Sequence, residues 1–210
     1  MPRGRFITFE GVEGSGKTTQ LELLAAYLRD AGRSVVTTRE PGGTPLGEKL
    51  RDLLLHPGND PVPLAELFML EAARAQLAQR VIAPAIAADS YVLADRYADS
   101  SLAYQGGARG VAWETVERLN AEACGGLVPD RTLVLELPVG QALKRARTRT
   151  STTAENRRFE DEALAFHAKV AEGYRRLARA HPDRVRIVDA EGQRGDVHAR
   201  VISQLGDLLS

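Results

Sequence analysis

The chain has little cysteine: one residue, Cys124, in 210. No internal disulfide can form, and the thiol is expected to act as a small buried hydrophobe. It has no charge excess of either sign, since 28 Lys and Arg balance 28 Asp and Glu. A nucleic-acid-binding surface usually shows a basic surplus, and none exists here. No apolar run approaches a membrane span, and no apolar leader precedes the first strand-like segment. These absences argue against nucleic-acid and membrane partners and make the cytoplasm the expected location. Repeats and low-complexity tracts are lacking too. What is present is ordinary for a globular protein, 43% hydrophobic and 27% charged. The length suits one α/β domain over residues 1–210, large enough to bury a core without metal or disulfide staples.

Five strand-like segments recur at 5–10, 34–39, 91–95, 131–137 and 184–189. Most are short apolar or β-branched runs, as expected for strands buried on both faces. Helical patterns lie between and after them at 18–31, 46–55, 64–88, 113–123, 139–149, 160–180 and 195–209. Such alternation predicts a parallel sheet with helices on both faces. In that architecture ligands bind beyond the carboxyl ends of the strands. Four of the segments end on a charged residue there: Glu10, Arg39, Asp95 and Asp189.

Between the first strand and first helix, residues 11–18 read Gly-Val-Glu-Gly-Ser-Gly-Lys-Thr, matching G-x-x-x-x-G-K-T. Glycines let such a loop wrap closely, with backbone N–H groups aimed at phosphate oxygens and a helix N-terminus behind them. Lys17 is expected to reach the β- and γ-phosphates of ATP, and Thr18 to offer a hydroxyl to Mg²⁺. The loop is expected to be exposed. A guanine-reading Asn-Lys-x-Asp is absent, and the only Asp-x-x-Gly, at 189–192, is too late for a switch loop. The pattern therefore points to a small-molecule kinase.

A kinase of a phosphorylated acceptor must hold a second anion, and arginine's planar fork suits phosphate oxygens. Arg39 ends the second strand, ahead of the turn Glu40-Pro-Gly-Gly-Thr44, and Arg96 follows Asp95 after the third. Asp95 stands where a magnesium-holding carboxylate is expected. Arg74 interrupts the helical stripe Leu67, Leu70, Leu77, Val81. It is either snorkelling, paired with a buried acid, or facing a ligand. A polar, basic stretch at 148–158, flanked by Lys144, Arg145 and Arg147, reads as a lid over about 144–160. Arg149, Arg157 and Arg158 are its candidate catalytic cations.

Taken together, these stretches resemble thymidylate kinases. The resemblance is carried by Phe9 to Gln20, by Thr38-Arg-Glu-Pro-Gly-Gly-Thr44, by Asp95-Arg-Tyr-Ala-Asp-Ser-Ser-Leu-Ala-Tyr-Gln105 and by Pro129-Asp130. It implies a P-loop NTPase fold with a five-stranded parallel sheet, a homodimer, and transfer of phosphate from ATP to dTMP with Mg²⁺. It also implies site roles. Gly11, Val12, Glu13, Gly14, Ser15, Gly16, Lys17, Thr18 and Thr19 would hold the ATP phosphates, with Thr18 and Asp95 on the metal. Glu13 would accept from the sugar 3′-hydroxyl, Arg39 and Arg96 would hold the acceptor phosphate, and Arg74 would hydrogen-bond thymine. Leu70, Ser100, Ser101 and Gln105 would complete the nucleoside site, with Tyr104 crowding the 2′ position. Family members carry a catalytic arginine either in the P-loop or in the lid, and Gly14 places this chain with the second kind. Two positions depart from the pattern: Leu70 replaces a base-stacking phenylalanine, and Glu136 replaces a commoner aspartate. Other nucleoside monophosphate or deoxynucleoside kinases, and a regulatory nucleotide switch, remain the alternatives.

Overall fold

A computed structural model describes residues 4–56, 58–149, 159 and 162–209. Five strands form one parallel sheet in the order β2-β3-β1-β4-β5: β1 Phe6–Glu10, β2 Val35–Arg39, β3 Tyr91–Asp95, β4 Arg131–Glu136 and β5 Val185–Asp189. The central strand β1 is buried along its whole length. Alternate side chains of a strand point to opposite faces. Ile7, Phe9 and Leu93 thus join one core cluster, while Phe6, Val92 and Ala94 meet Leu77, Ile82 and Tyr97 on the other. Cys124 is buried in that second cluster, as expected, and burial pushes its thiol up to about 11.

The helices are α1 Lys17–Asp30, α2 Pro45–Leu55, α3 Pro63–Leu77, α4 Ala83–Ala87, α5 Ala98–Ser101, α6 Trp113–Cys124, α7 Val139–Arg149, α8 Leu164–Ala180 and α9 Arg194–Ser203. Thr44 caps α2 by accepting from the Gly47 N–H at 3.0 Å, and Pro45 occupies its first turn.

The continuous helix predicted over 64–88 is instead α3 and α4 joined by a π-turn at Ala78–Ile82. A second π-turn, Leu102–Gly106, continues α5 and carries Tyr104 and Gln105. The sequence gives no periodic signal for α5 or either π-turn. The helix predicted from 160 is first described as helical at Leu164, and that predicted to 209 ends at Ser203.

The register sets the site. Phe9 pairs with Asp95 and Arg39 with Asp95, so the ends of β1, β2 and β3 lie side by side. Backbone bonds Arg96 N–H to Phe9 O and Glu40 N–H to Asp95 O, 3.0 and 2.9 Å, tie the three exit loops together.

Candidate active site

From β1 the chain turns through Gly11, Gly14 and Gly16, with φ of 132°, 78° and 98°, into α1. These are conformations that only glycine adopts freely. A Cβ added at Gly14 would also land on the carbonyl oxygen of Ala142 in α7. This close packing corrects one expectation: the loop is largely buried, with Gly11, Val12, Gly14, Ser15 and Lys17 inside. Only Thr18 and Thr19, in the first turn of α1, are exposed. Lys17 Nζ donates to the carbonyls of Gly11 and Val12 at 3.1 and 3.0 Å. Burial, with Arg96 repelling it, pushes its ammonium down to about 8.

Thr18 Oγ1 donates to Asp95 Oδ2 at 2.5 Å. A hydroxyl and a carboxylate meeting beside a phosphate cradle are oxygen ligands of the type Mg²⁺ accepts. Among the described residues no group of three or more His, Cys, Asp or Glu forms a cage. The donor set thus suits an ion that keeps waters and substrate phosphates as its other ligands.

Arg96 has φ of 74°, a left-handed conformation uncommon for a residue with a side chain and often found at working sites. Its Nη2 donates to Glu13 Oε1 at 2.7 Å and to the Tyr104 hydroxyl at 3.0 Å. Its Nη1 reaches Ser100 Oγ and the Tyr174 hydroxyl at 3.2 and 3.3 Å. The buried Glu10 holds the backbone behind it, accepting from Tyr97 N–H at 2.7 Å, Ser100 Oγ at 2.6 Å and the Tyr174 hydroxyl at 2.7 Å. Burial pushes Glu10 up to about 7, against the pull of Arg96. Glu13 goes the other way. Burial works against its charge, but Arg96, His167, Lys17 and Tyr104 together hold it at about 2.

Two spaces open from this hub. A cleft of about 690 Å³ is bordered by Gly14, Gly16, Lys17, Thr18, Asp95, Arg96, Arg39 and Arg51. A recess of about 60 Å³ is lined by Glu13, Leu70, Arg74, Arg96, Ser100, Ser101, Tyr104, Gln105 and Phe159. The recess opens into the cleft, with which it shares Glu13, Glu40, Pro41, Arg96 and Phe159. Leu70 is on the recess wall, whereas Phe68 is 52% exposed and lies elsewhere.

Arg74 settles on the buried-acid alternative while also lining the recess. Its Nε and Nη2 donate to Glu40 Oε2 at 2.9 and 2.8 Å, its Nη1 to Glu71 and Asn120 at 2.7 Å each, and its Nη2 also to Ser101 Oγ at 3.0 Å. All five N–H groups are engaged, so a direct bond to a base would require one protein partner to yield. Gln105 differs. Its Nε2 donates to Glu66 at 2.8 Å, while its Oε1 is buried with no partner among the described residues.

Several contributors were invisible in the sequence. Glu48 accepts from Arg39 Nη2 and from Gly43 N–H, both at 2.8 Å, fixing the 40–44 turn. Arg51 on α2 faces the cleft, and Tyr174 and His167 reach the hub from α8. Phe159 meets Tyr104 edge-on at 5.9 Å. Glu136 is taken by Arg175 at 2.7 Å, and the segment after Asp189 borders neither space. Arg157 and Arg158 lie outside the described residues. Arg149 ends α7, and its side chain lies outside them too.

The thymidylate kinase family model matches residues 9–201. The chain belongs to that family. A thymidylate kinase of Nitratidesulfovibrio vulgaris is 50% identical over 209 residues, covering 98% of this chain and 97% of its own. That of Syntrophotalea carbinolica is 49% identical over 199 residues, covering 93% and 92%. The crystal structure of thymidylate kinase from Ehrlichia chaffeensis superposes with a TM-score of 0.77 at 33% identity, covering 98% of this chain and 99% of that one. As a thymidylate kinase family member the chain has a P-loop NTPase fold, and the cradle, hub and recess lie in the matched region.

Proposed function

We propose that this chain transfers the γ-phosphoryl group of ATP to the phosphate of dTMP, giving ADP and dTDP. The observation that carries the reading is the junction at Arg96. It joins a phosphate cradle on one side to a recess lined by Leu70, Arg74, Ser101, Tyr104 and Gln105 on the other, within a thymidylate kinase family member. An oxygen of the dTMP phosphate attacks the γ-phosphorus in line, and the bond to the β,γ-bridging oxygen breaks as ADP leaves. The acceptor oxygen is already ionised at neutral pH, so no general base is needed. Catalysis is positioning and charge neutralisation.

In this reading the loop from Gly11 to Thr19, with Lys17, holds the ATP phosphates. Arg39 and Arg96 grip the acceptor phosphate, and Ser100 steadies Arg96. Glu13 accepts from the sugar 3′-hydroxyl, and Tyr104 closes the 2′ side. Leu70, Arg74 and Ser101 border the base. Gln105 Oε1, the unpartnered acceptor, receives the base N–H, because Glu66 fixes the amide with its nitrogen turned away. Thr18 and Asp95 would hold Mg²⁺, which would supply neutralising charge to the triphosphate. Arg149, Arg157 and Arg158 supply cations to the transferring group.

We further infer a cytoplasmic homodimer. No helix among the described residues is long and apolar enough to cross a membrane. Leu53, Val62, Leu64 and Phe68, at α2 and α3, are exposed apolar side chains suited to contact with a second copy. Sedimentation velocity checks this, and a monomer at micromolar concentration removes it.

The functional test is ADP release across a panel of nucleoside monophosphates. dTMP should lead, dUMP should trail by about 1–3 kcal/mol for the missing methyl, and ribonucleotides should trail further. Equal rates across the panel would point to a broader monophosphate kinase. Slow hydrolysis indifferent to any acceptor would point to a regulatory switch.

A further inference from the structure

We propose that His167 is a positioning residue for Glu13, donating from Nδ1 to the carboxylate that receives the sugar hydroxyl. His167 has no exposed surface, and its Nδ1 lies 3.3 Å from Glu13 Oε2. That distance is within hydrogen-bond reach, but the N–H is not aligned on the carboxylate, and neither ring nitrogen has a formed hydrogen bond among the described residues. A buried imidazole left unpaired is costly. Here it stands one small adjustment from a carboxylate.

The placement follows from the packing of α8. Gly173 lets the helix backbone approach the π-turn, since a Cβ there would lie 2.8 Å from the Ala103 Cα. His167 and Tyr174, seven residues apart and so on one face of α8, are thereby pressed into the hub. Glu13 has two formed partners, Arg96 and Tyr104, each at 2.7 Å to Oε1. In the proposed function both also serve the nucleotide, Arg96 at its phosphate and Tyr104 at its sugar. His167 is the neighbour of Glu13 with no such duty. When Arg96 turns an N–H toward an acceptor phosphate, the imidazole keeps the carboxylate aimed at the sugar.

This inference rests on the reading of Glu13 as acceptor for the 3′-hydroxyl, and the experiment separates the two. Three variants divide the ring's functions: His167→Asn keeps an N–H near the Nδ1 position, His167→Gln keeps one near Nε2, and His167→Phe keeps only bulk. KM and kcat are measured for dTMP and for its 3′-deoxy analogue. The Phe and Gln variants should raise the KM for dTMP by at least roughly tenfold, the effect of losing one hydrogen bond to a charged group. Their kcat should change less. The Asn variant should restore most of the loss, and no variant should alter the KM of the 3′-deoxy analogue, already weak in the parent.

A Phe variant with the parent's KM for dTMP overturns the proposal. So does an Asn variant as impaired as Gln, or an equal loss on both substrates while the parent still discriminates between them. A parent that uses both substrates equally overturns the reading of Glu13, and this proposal with it. If circular dichroism shows that the Phe variant does not fold, the Asn and Gln contrast decides alone.

Discussion

Lys17 occupies a position where solvation and function oppose each other. Its ammonium is buried and held down to about 8, while a triphosphate in the cradle would favour the charged form. Above pH 8 the free protein therefore carries a largely neutral Lys17, and ATP binding must take up a proton. Calorimetry at pH 9 in two buffers of different ionisation enthalpy should reveal that uptake, and ATP affinity should fall as pH rises through 8. Lys17→Ala should abolish both the uptake and phosphoryl transfer; a variant with near-normal turnover would remove the lysine from the mechanism. Tyr104 offers a second residue-scale test. Tyr104→Ala should raise activity on the ribose counterpart of dTMP relative to dTMP itself, measured by ADP release, whereas an unchanged ratio would show that the ring does not screen the 2′ position. Residues of this kind were legible because motif and strand-end position coincide: Lys17, Thr18, Asp95 and Arg96 were found so. His167 and Tyr174 were not, since on an amphipathic helix a buried His or Tyr looks the same as any core position.

The elements show a similar division. Parallel strands were readable within a residue or so, because β1, β3 and β4 are buried nearly throughout and so are short, continuous apolar runs, while the edge strands β2 and β5 keep β-branched residues. The two π-turns were not readable. Widening one turn to an i→i+5 bond, as from Gly107 N–H to Leu102 O at 2.9 Å, leaves no mark on hydrophobic spacing. Yet that turn delivers Tyr104 and Gln105 to the recess. The packing of the P-loop on α7 gives a prediction at this scale. Gly14→Ala combines a left-handed backbone, φ of 78°, with a clash against Ala142 backbone. It should destabilise the protein by more than about 1 kcal/mol and impair ATP binding; an unchanged unfolding midpoint would show that the contact is slack. In the proposed mechanism the cations for the transferring group come from Arg149, Arg157 and Arg158. Replacing Arg149, Arg157 and Arg158 together by Ala should slow single-turnover transfer by up to roughly 10³–10⁵ while leaving dTMP binding nearly intact. Parent-rate transfer in that triple variant would return the cluster to ordinary surface.

For the molecule as a whole, the hub couples stability to pH. Glu10 is raised by burial from 4.5 to about 7, so its contribution to stability is full below pH 4.5 and is lost as pH rises through 7. The shift corresponds to about 3 kcal/mol at most. Glu40 is raised as well, burial outweighing the pull of Arg74, and adds to the same slope. Glu13, lowered to about 2, contributes fully above pH 4.5 and is lost only as pH falls through 2, outside that window. Urea midpoints should therefore fall between pH 5 and pH 7.5, and Glu10→Gln should flatten part of the fall; an identical slope in the variant would show that Glu10 does not titrate there. The sheet that makes this coupling possible was foreseeable from alternation alone, but the partners of each charge were not, because they come from chain positions up to 164 residues apart. The contact between Gly14 and α7 also bears on descent. An arginine at position 14 cannot arise by one tolerated substitution, since the helix backbone fills the space its first carbon would need. A lineage placing a cation at this point of the loop would first have to move α7 away from it, so the helix and the loop residue are bound to change together.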